Sequence, residues 1–212
     1  MLIFCQCFKT VDAQTDSIPG IPQYANAKLD PVLRNAFTAT DAKYLTKIER
    51  DIIHVINLMR LDPPGFAEKV VKSYPELFEN PEKRKSSYYQ SLLKDLAAAS
   101  PLPPLKPDEA LFVAARCHAT QSGITGYVGH QRSKSCDGTL IYHAECCQYG
   151  WNDALHVVMS LLIDENIPNL GHRKILLTGF THIGVATRPH KSYGINTVLD
   201  FSKGPKHVVH AL

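Results

Sequence analysis

The chain has 212 residues, 44% hydrophobic and 20% charged, with 12 Gly and 14 Pro. That composition excludes collagen-like, low-complexity and wholly disordered classes and suits a chain that buries one substantial core. Twenty-three Lys and Arg against 20 Asp and Glu leave a formal charge of +3, too diffuse for a nucleic-acid partner, and none is expected. Six Cys are too few for a disulfide-built miniprotein, yet Cys117, Cys136, Cys146 and Cys147 form a local cluster that needs a reason.

Residues Met1 to Phe8 read MLIFCQCF, and Val11-Asp12-Ala13 follows as a small-x-small pattern. Together they read as a short signal segment over 1–13, without the usual charged start, and export is the expectation. No stretch approaches the roughly 18 apolar residues of a membrane span, so no transmembrane segment is expected.

After a polar lead-in over 14–40, Leu45, Ile48, Ile52, Val55, Ile56 and Met59 recur at helical spacing. They predict an amphipathic helix with Asp41 as N-cap and Pro63-Pro64 as its end. A short helix carrying Phe66, Val70 and Val71 follows, then one capped by Ser86 or Ser87 and running through Leu92, Leu93 and Leu96 to Ala99. Ser100 to Pro107 holds four prolines in SPLPPLKP and must be extended connector. Pro107 suits a first helical position, and the helix it opens runs through Ala114, Ala115 and His118 to about Ser122. Gly123 to Gly138 reads as loop. Asn152 or Asp153 caps a helix with Leu155, Val158, Leu161 and Leu162 that ends before Pro168. The period then changes to two: Ile183, Val185 and Thr187, and again Tyr193, Ile195, Thr197, Leu199 and Phe201, predict an antiparallel hairpin, with Thr139 to Cys147 a third strand. Helices first and a small sheet late define an α+β domain.

Ten His must be sorted. His54, His118 and His156 fall mid-helix and read as packing or surface groups. His207 and His210 lie in a C-terminal tail over 204–212. His130 in GYVGH and His172 in NLGHRK each follow a Gly that lets the backbone approach a cleft, and Glu145 with Asp164 or Glu165 are their candidate acids. Two imidazoles and two carboxylates can hold a divalent ion such as Zn²⁺, with carboxylates as ligands or as groups that orient the rings. They can also supply a general base. There is no His-Glu-x-x-His motif, phosphate loop, nucleophile elbow or dinucleotide fingerprint.

The succession IERDIIHVINLMR (Ile48 to Arg60), PLPPLKPDEALFVAARCHA (Pro101 to Ala119), GYVGH (Gly126 to His130), AEC (Ala144 to Cys146), GHRKILL (Gly171 to Leu177), FTHIGVAT (Phe180 to Thr187) and the final YGINTVLDF resembles the CAP superfamily. These are the cysteine-rich secretory, antigen 5 and pathogenesis-related 1 proteins, or SCP-like extracellular proteins, and the resemblance covers 41–203. It implies a three-layer α-β-α sandwich with a small antiparallel sheet. It also implies a cleft of two His and two acids that binds Zn²⁺ or another divalent ion in some members. Carried over, these are His130, His172, Glu145 and Asp164, with Glu165 as runner-up. The resemblance implies a secreted protein binding a lipid, sterol, glycan or protein ligand. The alternative is a metal-assisted, peptidase-like hydrolase using the same cleft, with Glu145 and Asp164 as its candidate catalytic acids.

The chain departs from that family at Ala144-Glu145-Cys146-Cys147, where members commonly read Gly-Glu-Asn-Ile. In a strand through these residues Glu145 and Cys147 share one face and Ala144 and Cys146 the other. Four Cys allow three connectivities. Cys136 to Cys146 would close a short loop before the acid and leave Cys117 to pair with Cys147. A zinc knot is disfavoured because no Cys-x-x-Cys spacing occurs.

Overall fold

The computed structural model describes residues 21–77, 80–139 and 141–206. The expected signal segment, Cys5, Cys7, His207 and His210 lie outside the described residues.

The chain enters through three short 3₁₀ turns, Pro22–Tyr24, Ala27–Leu29 and Leu33–Ala36. Their Ile21, Tyr24, Ala27, Leu33, Ala36 and Ala39 are buried in the main hydrophobic core, so the lead-in contributes apolar packing despite its polar sequence. Helix α1 spans Lys47–Leu61. Its cap, Thr46, lies five residues after the expected Asp41, because Thr46 and Glu49 form a reciprocal capping box that Asp41 cannot form. Pro63-Pro64 ends it as expected, but Pro is also well suited to a first helical turn. The chain restarts at once as α2 (Pro63–Phe66), capped by Asp62, and continues through a π turn over Ala67–Val71.

Helix α3 (Tyr74–Leu77) and a 3₁₀ turn (Pro81–Lys85) lead to α4 (Ser87–Ala98), capped by Ser86 as expected. The proline-rich connector is extended, and its last residues form a short strand β1 (Lys106–Pro107) parallel to the later hairpin. Pro107 is therefore not a first helical residue. Lys106 and Asp108 donate their N–H groups to Thr181 and Ile183, and Pro107 between them has no N–H to lose. Asp108 caps α5 (Glu109–Thr125), which runs past Ser122 until Gly126 turns left-handed at φ 78°.

The remaining elements are β2 (Ala144–Tyr149), α6 (Ala154–Ile163, capped by Asp153), α7 (Gly171–Leu176), β3 (His182–His190) and β4 (Gly194–Ser202). The sheet order is β1-β3-β4-β2, with β3-β4 the expected hairpin and β2 antiparallel to β4 at one edge. β2 is displaced toward the C-terminus of its expected span: Thr139 closes a 3₁₀ turn over Lys134–Thr139, and residues 141–143 are irregular.

Strand alternation separates two faces. Cys146, Leu199, Phe201, Ile183 and Val185 are fully buried and point to one side, which α1 and α6 cover. Gly184, Asp200, Glu145 and Cys147 point to the other, against α5. Glycine at 184 is required there, since a Cβ would stand 2.1 Å from the Leu111 carbonyl carbon. The result is the expected α+β fold with helices on both faces of a small sheet.

Two buried arginines tie the connections down. Arg60 donates to the carbonyls of Pro103, Leu176, Thr178 and Phe180. Arg173 donates to Leu162 and Ile163 at the end of α6 and to Asp95 on α4. Each satisfies helix-end or loop carbonyls that would otherwise be buried without donors.

Candidate functional site

The site lies along the free edge of β2, where the loop after α5 meets the α6–α7 connection. Glu145 on β2 is buried and accepts from His130 Nδ1 at 2.8 Å. Its other oxygen accepts from Arg132. His130 reaches it because Gly126 and Gly129 hold φ of 78° and 134°, conformations open mainly to glycine. Its ring stays 58% exposed.

The second pair is built by the end of α6. Asp164 takes a left-handed φ of 57°, which breaks the helix and turns its carboxylate toward α7. It accepts from His172 Nδ1 at 2.7 Å and from the backbone N–H groups of His172 and Arg173. Arg173 in turn holds the last carbonyls of α6. Glu165 points elsewhere, accepting from Ser86 Oγ at 2.8 Å and pairing with Lys83 at 3.1 Å.

The two pairs face each other, with the His130 and His172 ring centroids 6.4 Å apart. Both imidazoles spend Nδ1 on an acid, which leaves Nε2 for a ligand or an ion. With metal–nitrogen bonds of about 2.0–2.1 Å, two imidazoles on one tetrahedral ion have centroids about 5 Å apart, so His130 and His172 would have to close by about 1 Å to hold a divalent cation together. A cavity of about 280 Å³ opens beside them, lined by Cys147, Tyr149, Asp164, Ile167, His172 and Tyr193 among others. A second of about 300 Å³, lined by Tyr74, His156 and Lys83, shares Trp151, Ser160 and Glu165 with it.

Sequence reasoning missed three residues at the base. His118, expected to be a packing group, is 1% exposed and lies 3.9 Å from Glu145 Oε1. Its Nε2 bonds the Gly129 carbonyl at 3.0 Å. Arg132 bonds Glu145 and Asp200, donates to Ala114 O and Tyr142 Oη, and lies over the Tyr142 ring. Asp200 is fully buried directly opposite Glu145 on β4. No local pattern marks these residues, since each is linked to Glu145 only through tertiary packing.

The charges follow from these contacts. Burial alone would raise Glu145, but the His130 hydrogen bond and the Arg132 and His118 charges bring it below the ordinary carboxylate value. Burial pushes Asp200 well above it. The hydrogen bond to Glu145 raises His130, whereas burial lowers His118. Burial, with Glu145 nearby, keeps the Cys147 thiol protonated far above its usual range.

The expected cysteine pairing is corrected. Cys117 on α5 is bonded to Cys136, while Cys146 and Cys147 are free and buried. The strand explains this: Cys146 points into the apolar core, away from Cys136, and Cys147 points toward the cleft beside Glu145, as the alternation predicted.

The protein is an α+β domain whose sheet edge carries two opposed imidazole–carboxylate pairs. Comparison with family profiles matches residues 53–201 to the cysteine-rich secretory protein (CAP) family, and the chain belongs to that family. No curated protein and no solved structure matches it. Among the described residues no helix is long and apolar enough to cross a membrane.

Proposed function

We propose that this is a secreted CAP-domain protein that binds an amphipathic ligand of the lipid or sterol class, with a divalent cation of the Zn²⁺ type held by His130 and His172. The opposed pairs at 6.4 Å carry this reading. Glu145 and Asp164 fix the orientation of both rings, as carboxylates behind metal-binding imidazoles do. When bound, the ion supplies a Lewis-acidic anchor for an anionic or hydroxyl head. The cavity at the imidazoles, about 280 Å³, is small for a whole lipid. The ligand body is therefore assigned to the adjoining cavity and to exposed Trp151, Ile167 and Tyr193 at the rim. The Cys117–Cys136 disulfide suits an oxidising compartment.

Trp151 is the only tryptophan, so its fluorescence reports the rim directly. Titrating fatty acids and sterols should shift its emission, and Zn²⁺ should raise the melting temperature in the wild type but not in His172→Ala. A response to oligosaccharides or to a protein partner alone would reassign the ligand. Peptide or ester turnover that disappears in Glu145→Gln would replace binding with hydrolysis.

A further inference from the structure

Cys147 changes what the floor of this cleft can hold. Its Sγ lies 3.6 Å from Glu145 Oε1 and 3.7 Å from His130 Nδ1. His118 Nε2 lies 3.9 Å from the same Oε1. One donor atom from each of His118, Glu145 and Cys147 falls within 4.8 Å of the other two, and all three residues are buried. Metal bonds of about 2.3 Å to sulfur and about 2.0–2.2 Å to nitrogen or oxygen place tetrahedral donors about 3.3–3.6 Å apart, so the cluster closes on an ion with small movements.

We infer that Cys147 Sγ, Glu145 Oε1 and His118 Nε2 form a second, inner site for a thiophilic divalent cation of the zinc class. Three features support it. Arg132 occupies the far oxygen of Glu145, so the hydrogen bond that Oε1 accepts from His130 Nδ1 is the one an ion would displace. Cys147 lines the cavity beside His172, whereas Glu145 and His118 do not, so an ion would reach the cluster from the sulfur side. His118 gives up only one hydrogen bond, to the carbonyl of Gly129, in a loop that glycine conformations make adaptable. His130, 58% exposed, can release Oε1 and swing outward. A nitrogen, oxygen and sulfur donor set selects zinc, cadmium or cobalt over magnesium and calcium, which require oxygen ligands.

The inner site shares Glu145 with the proposed outer site but does not use His172, and the two can be tested apart. The probe is Co²⁺, titrated into the 212-residue chain carrying Cys5→Ser and Cys7→Ser with the Cys117–Cys136 disulfide intact, so that Cys146 and Cys147 are its free thiols. The expected result is a near-ultraviolet sulfur-to-cobalt charge-transfer band. It should disappear in Cys147→Ser and weaken at least tenfold in affinity in His118→Gln, while surviving in Cys146→Ala and in His172→Ala. Cobalt binding without the band, sensitive to His172→Ala, would overturn the inner site and leave the outer one standing. Absence of cobalt binding would overturn both. Should Cys147→Ser fail to fold, X-ray absorption at the zinc edge of the unsubstituted protein decides. One sulfur neighbour at about 2.3 Å supports the site, and a shell of nitrogen and oxygen alone overturns it.

Discussion

Glu145 and Asp200 stand directly opposite each other on β2 and β4, and Nη2 of Arg132 bonds both carboxylates. All three side chains are within a few per cent of full burial. Two carboxylates at neighbouring register positions repel, so the guanidinium between them is a condition of the fold as well as of the site. Arg132→Met should cost about 3–5 kcal/mol, the usual consequence of leaving buried charge without its partner. Adding Glu145→Gln and Asp200→Asn to the same chain should recover most of that loss. Urea denaturation measures both. A cost below about 1 kcal/mol would show that solvent screens the cluster as it does a surface ion pair.

The two imidazoles beside Glu145 should titrate in opposite directions. The Glu145 hydrogen bond raises His130, and burial lowers His118. In the metal-free protein, His130 should therefore remain protonated above the ordinary histidine midpoint of about 6.5, and His118 should stay neutral below it. The linkage signs differ accordingly. The His130 contribution to stability is complete below its unfolded midpoint and is lost as pH rises through the raised folded value. That of His118 is complete above about pH 6.5 and is lost as pH falls through the depressed folded value. Two-dimensional NMR of the ring protons checks the order, and equal midpoints would contradict it.

Much of this geometry was legible from local pattern. The hairpin of β3 and β4 follows from strict alternation, α1 and α6 from helical spacing, and the side of Glu145 taken by Cys147 from strand parity alone. The opposition of His130 and His172 followed from family resemblance rather than spacing, since 42 positions separate them in the numbering. What stayed hidden depends on tertiary contacts. Arg132 and Asp200 matter because β2 pairs with β4, and His118 because α5 lies on that face of the sheet. Cys136 pairs with Cys117 rather than Cys146 because Cys146 faces the core. Asp108 replaced Pro107 at the start of α5 because β1 claims Lys106 and Pro107 for a parallel ladder that a two-residue strand cannot announce.

The disulfide encloses the segment that carries three residues of the site. His118, His130 and Arg132 all lie between Cys117 and Cys136, which are 19 residues apart. Closing a loop of that length contributes about 3 kcal/mol. The Cys117→Ser, Cys136→Ser double variant should therefore lose about 3 kcal/mol in urea. Because the same loop positions His130 against Glu145, its affinity for Zn²⁺ should fall as well. A stability loss with unchanged cation affinity would show that Gly126, Gly129 and the His118 bond to Gly129 hold the loop unaided.

Asp164 combines backbone strain with hydrogen bonding, and three substitutions separate the two. Its φ of 57° lies in the left-handed region, which Asn and Gly adopt readily and which costs most L-residues about 1–2 kcal/mol. Its carboxylate accepts from His172 Nδ1 and from two backbone N–H groups, and hydrogen bonds to a charged group contribute about 1.5–3 kcal/mol each. Asp164→Asn keeps the backbone preference and some acceptor capacity, so it should be the mildest. Asp164→Gly loses the acceptors without strain, and Asp164→Ala loses them and strains the chain. The expected order of destabilisation is Asn, then Gly, then Ala, with Ala about 1 kcal/mol beyond Gly. Asp164→Gly and Asp164→Ala should free the His172 ring and weaken Zn²⁺ binding, and Asp164→Asn should weaken it least, which calorimetry reads separately from urea melting. If Ala and Gly were equally destabilising, backbone strain at 164 would be negligible and the carboxylate alone would hold the turn between α6 and α7.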